Sequence, residues 1–161
     1  MAVDVSVIGR QTGAWRVALD RSVLANFAAA VGDASDAYRR SDAPAPPTFT
    51  FAAPYWSALS TGDQPTAPTA GAGGNPMHTI MGALHGKGAL VLHGEQEFEY
   101  HRTPVAGDVL DGVQTITDIY EKSSDSADMT FVVMETQWTD IRDGSPVVTE
   151  RFNLIARLKK S

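Results

Sequence analysis

Apolar and polar positions alternate between residues 90 and 101. Leu90, Leu92, Phe98 and Tyr100 share one parity, and His93, Glu95, Glu97, Glu99 and His101 fill the other. A period of two predicts a strand with one face on a core and the other toward water or a polar partner. Pro104 and Gly107 then end the ladder and reverse the chain. Further strands are predicted over 109–120, 129–141 and 147–158, with a polar turn at 121–128 and a tight Asp143-Gly144 turn. In the second of these, Phe131, Val133 and Ile141 lie on one side and Val132, Met134 and Trp138 on the other. The last alternates through Val148, Phe152, Leu154, Ala156 and Leu158.

Upstream, residues 4–17 read as a short strand interrupted at Gly9 and Gly13. Asp20 is suited to cap a helix over 21–31, in which Val23, Leu24, Phe27, Ala28 and Val31 recur at helical spacing before Gly32. Residues 48–59, rich in aromatics, predict a buried helix with Pro54 either in its first turn or bending it. Residues 61–76 carry Gly, Pro, Ala and Thr and read as a surface excursion or as a flap over a ligand tunnel. A short helix over 77–88 ends at Gly86 or Gly88. Together these elements predict one α+β domain over 1–161, an antiparallel sheet wrapped round a helix.

Composition narrows the function classes. The 161 residues are 43% hydrophobic and 20% charged, ordinary for a globular domain. A net charge of −6 without basic clusters argues against nucleic acid and anionic membranes as partners. With no cysteine there is neither a thiolate nucleophile nor a Cys-based metal site. The start, MAVDVSVIGR, lacks a signal-peptide pattern, and no apolar run approaches the roughly 20 residues of a membrane span, so the expected location is the cytoplasm.

Each chemically suggestive residue also has a plain reading. Asp33, after a helix-ending glycine, is either a turn acid or a functional carboxylate. Tyr38 reads as a packing residue. His93 reads as a structural hydrogen-bonding group, with a catalytic role as the alternative. His78 and His85 lie seven apart and lack a third ligand, so no metal site is expected. The GAGG run is not followed by Gly-Lys-Ser/Thr and is not a phosphate loop. His101 and Arg102 read as solvated. Arg39 and Arg40 form either an exposed pair or a contact for phosphates. Glu95, Glu97 and Glu99 place three carboxylates on one face, which must meet water, a basic surface or donors across an interface.

The segment LHGEQEFEYHRTPVAGD (92–108) resembles the N-terminal-type domain of MaoC-like dehydratases and peroxisomal type 2 enoyl-CoA hydratases. APPTFTF (45–51) is similar to the segment leading into that family's central helix, and the helix running into Gly32-Asp33 falls where the family places its catalytic loop. The resemblance implies a hot-dog fold acting in pairs on acyl thioesters of coenzyme A or acyl carrier protein, with no other cofactor. Active members carry Gly-Asp-x-x-x-x-His, whose aspartate and histidine orient a water and shuttle a proton. Here Gly32-Asp33 is present, but Tyr38 takes the histidine's place and Asp36-Ala37 replaces Asn-Pro. A phenol with pKa near ~10 is a poor base at neutral pH, whereas an imidazole near ~6.5 is well suited.

The resemblance therefore implies a degenerate partner domain. It would be the acyl-binding subunit of an (R)-specific 2-enoyl-thioester hydratase or 3-hydroxyacyl-thioester dehydratase, working as a homodimer or with a catalytic MaoC-like chain. Pro47, Thr48, Phe49, Tyr55 and Trp56 would line the acyl tunnel, with Arg39 and Arg40 on the coenzyme A phosphates. The alternatives are a self-sufficient hydratase using His93, a thioesterase of the same fold, and a thioester-binding protein without turnover.

Overall fold

The computed structural model describes residues 4–61 and 76–160, with only the backbone for 56–61. Strand β1 spans Gln11–Ala18, helix α1 Arg21–Ala30, helix α2 Phe49–Thr61 and helix α3 Pro76–Gly86. Strands β2 (Leu90–Tyr100), β3 (Val109–Ser123), β4 (Ala127–Asp140) and β5 (Pro146–Lys159) complete the chain. All pairings are antiparallel, and the five strands stand in the order β1-β3-β4-β5-β2. This is the expected α+β arrangement. No helix among the described residues is long and apolar enough to cross a membrane.

Local chemistry sets the element ends. The Asp20 carboxylate accepts from the Ser22 N–H at 2.7 Å and caps α1. Gly32, at φ +80°, closes that helix, and the Asp33 N–H donates to the Ala28 carbonyl. Pro54 lies in the second turn of α2 rather than its first, where its missing N–H leaves the Thr50 carbonyl without that helical donor. The strand expected over 4–17 begins only at Gln11, because Val5–Val7 forms a 3-10 turn capped by Asp4. The β3–β4 connection is shorter than the expected 121–128 turn, since pairing continues to Ser123 and Asp128.

The largest departure lies in β2. Its register shifts between His93 and Glu95, a bulge that sets an extra residue against β5. Beyond it the other parity turns inward, so Val91 packs on one core cluster and Phe98 on another. Leu90 and Leu92, expected in the core, are 57% and 41% exposed instead. Gly94 permits the close approach, for a Cβ there would sit 2.5 Å from the Ile155 side chain.

The core divides in two. One cluster gathers Ile80 and Leu84 of α3 against Ile116, Val132 and Ala156. The other gathers Leu24 of α1 and Phe49 of α2 against Leu110, Trp138 and Val148. What separates them is the candidate site.

Candidate functional site

Between the two clusters lies a cavity of about 410 Å³. Phe51, Pro54 and Tyr55 of α2, Met77 and Met81 of α3, and Phe152 of β5 supply apolar wall. The size and the lining suit a small apolar ligand.

The sheet side of the cavity is polar. Gln114 on β3 is in register with Thr136 on β4, which is in register with Glu150 on β5. Thr12 lies at the register shift of β1, beside the Gly13–Gln114 pair. These four side chains form a row across the strands, with one core cluster on either side. The Thr12 hydroxyl donates to Gln114 Oε1 at 2.8 Å, and Gln114 Nε2 donates to Thr136 Oγ1 at 3.2 Å.

Glu150 ends that row and is 2% exposed. The Trp138 indole N–H donates to its Oε1 at 2.5 Å, its one hydrogen bond among the described residues. Burial pushes its carboxyl up to about 7, although the Trp138 bond opposes the rise. The Thr50 hydroxyl lies near enough to temper the shift but outside hydrogen-bonding geometry, and it is buried with no well-formed bond among the described residues. Sequence reasoning passed over Glu150, yet a signal was present. The residue shares the parity of Val148, Phe152 and Leu154, so an acid stood on an apolar face.

The Gly32-Asp33 loop closes on itself. Tyr38 is 8% exposed, and its hydroxyl donates to Asp33 Oδ2 at 2.9 Å. Asp33 Oδ1 accepts from the Ser35 N–H at 3.0 Å. Burial, and then the Asp33 bond, holds the Tyr38 phenol above its ordinary pKa. Both carboxylate oxygens are thus engaged within the loop, beside a surface pocket that is separate from the cavity. Tyr38→Phe is expected to lower stability by about 1 kcal/mol, read from urea midpoints. A loss of more than about 3 kcal/mol would mean the phenol holds more than this one bond.

The other candidates are scattered. Tyr55 lines the cavity. Phe49 is 1% exposed and packs edge-on against Phe27 at 5.3 Å, so it is core rather than tunnel wall. Pro47 and Thr48 are exposed at the entry to α2. Thr48 adopts φ +72°, unusual for a β-branched residue, and its N–H donates to the Tyr100 hydroxyl. The Trp56 side chain lies outside the described residues, as does the 62–75 part of the Gly-Pro-rich stretch. Arg39 pairs with Asp36 on the surface, and Arg40 is held by both carboxylate oxygens of Asp42. The His93 ring packs on Phe152 at 4.4 Å and Phe51 at 5.5 Å, and among the described residues it makes this aromatic contact and not the expected hydrogen bond. His78 lines the cavity, and no metal-holding cluster exists among the described residues.

Two charge arrangements complete the chain's chemistry. Glu97, Glu99 and Glu135 surround Arg151, while Asn153 donates to Glu95, so the row on β2 finds its donors within the same chain. Arg102, expected to be solvated, instead bridges buried Asp108 and Asp140 at 2.6 Å each. Arg142 joins the same two carboxylates.

The sequence profile described as FAS1-like, dehydratase domain region matches residues 6–150. A UPF0336 protein of Streptomyces coelicolor is 30% identical over 98% of this chain and 97% of its own length. Among solved structures, the C-terminally truncated HadBC (3R-hydroxyacyl-ACP dehydratase) complex of Mycobacterium tuberculosis superimposes with a TM-score of 0.61 at 19% identity. That match covers 95% of this chain and 99% of the other. A MaoC-like dehydratase of Rhodospirillum rubrum gives 0.60 at 13% identity, covering 99% of both chains. At these identities the structures speak to fold alone. With most of its length matched by the profile, the chain belongs to the FAS1-like dehydratase region family and is a MaoC-like hot-dog domain.

Proposed function

We propose that this chain is the acyl-binding, non-catalytic subunit of an (R)-specific 2-enoyl-thioester hydratase or 3-hydroxyacyl-thioester dehydratase. A partner chain bearing the intact Asp/His loop performs the chemistry. The observation that carries the reading is the Asp33–Tyr38 bond. An aspartate whose two oxygens serve Tyr38 and Ser35 is occupied in holding its own loop, and the phenol beside it is a poor base near neutral pH.

In this reading the division of labour is physical. The cavity takes the acyl chain, removes apolar surface from water and fixes the distance of the double bond from the partner's loop. Hydration then joins the water oxygen to C3 and places a proton on C2. Dehydration is the reverse, and neither step requires an oxidant. Support for a partner also comes from β2, which forms one border of the sheet and leaves Leu90 and Leu92 exposed.

The test is hydration of crotonyl-CoA and longer 2-enoyl-CoA thioesters by the purified chain, alone and co-purified with a MaoC-like chain that carries the Asp/His loop. Silence alone and turnover in the mixture is the expected result. Turnover by the chain alone would overturn the assignment and return attention to Asp33 and His93.

A further inference from the structure

The polar row beneath the cavity is excessive for holding a plain alkyl chain. Three of its members satisfy one another, through the Thr12–Gln114 and Gln114–Thr136 bonds. The remaining end does not. Glu150 has one bonded carboxyl oxygen and a second with no partner among the described residues, and both it and Thr50 line the cavity. Thr50, 2% exposed on the facing helix, has a hydroxyl close to Glu150 that makes no hydrogen bond of good geometry among the described residues.

An unmade hydrogen bond at a buried hydroxyl or carboxyl costs stability, and apolar residues of similar size would avoid that cost. Two such groups brought together on one cavity from a helix and a strand form a receptor for something that both accepts and donates. An alcohol does both: its O–H donates to the free Glu150 oxygen, and its lone pair accepts from Thr50.

We infer that the cavity selects an acyl chain bearing a hydroxyl group beyond the reacting carbons, held between Glu150 and Thr50. This inference rests on the acyl-binding reading and names its substrate class. A chain without the hydroxyl leaves both groups unpaired in the complex, which is the arrangement that lets a polar site reject an analogue.

Trp15 and Trp138 line the same cavity and provide the signal. The probes are octanoyl-pantetheine and hydroxyoctanoyl-pantetheines with the hydroxyl moved one carbon at a time toward the chain end. They are titrated against the purified chain by tryptophan fluorescence, with calorimetry as a check. At least one hydroxy isomer is expected to bind about tenfold more tightly than the plain thioester.

Thr50→Val is the decisive variant, because the hydroxyl it removes has no well-formed hydrogen bond among the described residues. It should bring the favoured isomer down to parity with octanoyl-pantetheine, both measured on the variant, while its far-UV circular dichroism remains that of the native chain. Equal binding of all probes by the native chain would overturn the inference and leave the acyl cavity standing. So would a preference that survives Thr50→Val. If no thioester binds, the acyl-binding reading falls, and this inference with it.

Discussion

At pH 8 the Glu150→Gln variant is expected to be about 3 kcal/mol more stable than the native chain, with the gap closing to below about 1 kcal/mol by pH 5. Burial raises the folded-state carboxyl from 4.5 to about 7, so between those values the folded chain binds more protons than the unfolded one. Stability contributed by such a group is complete below the unfolded pKa and is lost as pH rises through the folded one. At about 1.4 kcal/mol per pKa unit, the loss amounts to about 3 kcal/mol. The glutamine amide is nearly isosteric, keeps an oxygen for the Trp138 indole and cannot ionise, so it removes the slope. Urea midpoints for both proteins between pH 4 and 8 provide the test, and the difference between them cancels the histidines and other shared titrating groups. Parallel curves would mean that Glu150 is solvated, which would also weaken its role in the cavity.

Much of the architecture was legible because local signals agreed. Asp20, the helical spacing of Leu24 and Ala28, and Gly32 all specify α1, and the structure places its ends within a residue of that reading. The Asp143-Gly144 turn and the parity of Val132, Met134 and Trp138 likewise fix the β4–β5 hairpin and its buried face. What failed was the assumption that parity persists. One bulge at Gly94 reverses β2, and a glycine inside an alternating run was the available warning.

The site was less legible for a different reason. A hydrophobic pattern identifies which residues face inward, but it does not tell how an inward polar one is paired. Thr136, Asp140 and Glu150 share the inward parity of their strands, and each proves to be buried and polar. Whether an inward polar residue meets a partner depends on strands far apart in sequence. Glu150 finds Trp138, Asp140 finds Arg102 across 38 residues, and Thr50 finds no well-formed bond among the described residues. The Asp33–Tyr38 bond, spanning only five residues, was closer to hand. Tyr38 in place of a histidine is readable in the sequence, but its use to tie down the aspartate depends on how the loop folds back.

Asp108→Ala is expected to be the most damaging single substitution outside the two apolar clusters, costing about 3 kcal/mol or more. Asp108 is 4% exposed and accepts from Arg102 Nη1 at 2.6 Å, Arg142 Nη2 at 3.0 Å and the Val105 N–H at 3.0 Å. Asp140 receives the same two guanidinium groups, so one ring of four side chains fastens the β2–β3 turn to the β4–β5 turn. Removing one acid leaves Arg102 with half its counter-charge in a partly buried place, and deletes an acceptor from the turn. Arg142, and then Arg102, hold Asp140 far below the usual carboxylate range. That contribution is therefore present above about pH 4 and lost on acidification, the opposite sense to Glu150. For a chain of this length the expected fall in melting temperature at pH 7 is roughly 6–12 °C. Asp36→Ala, which removes an exposed pair with Arg39, should leave the midpoint in place and serves as the control. An Asp108→Ala midpoint equal to that control would show that the ring is a surface decoration and that the two turns are held by backbone pairing alone.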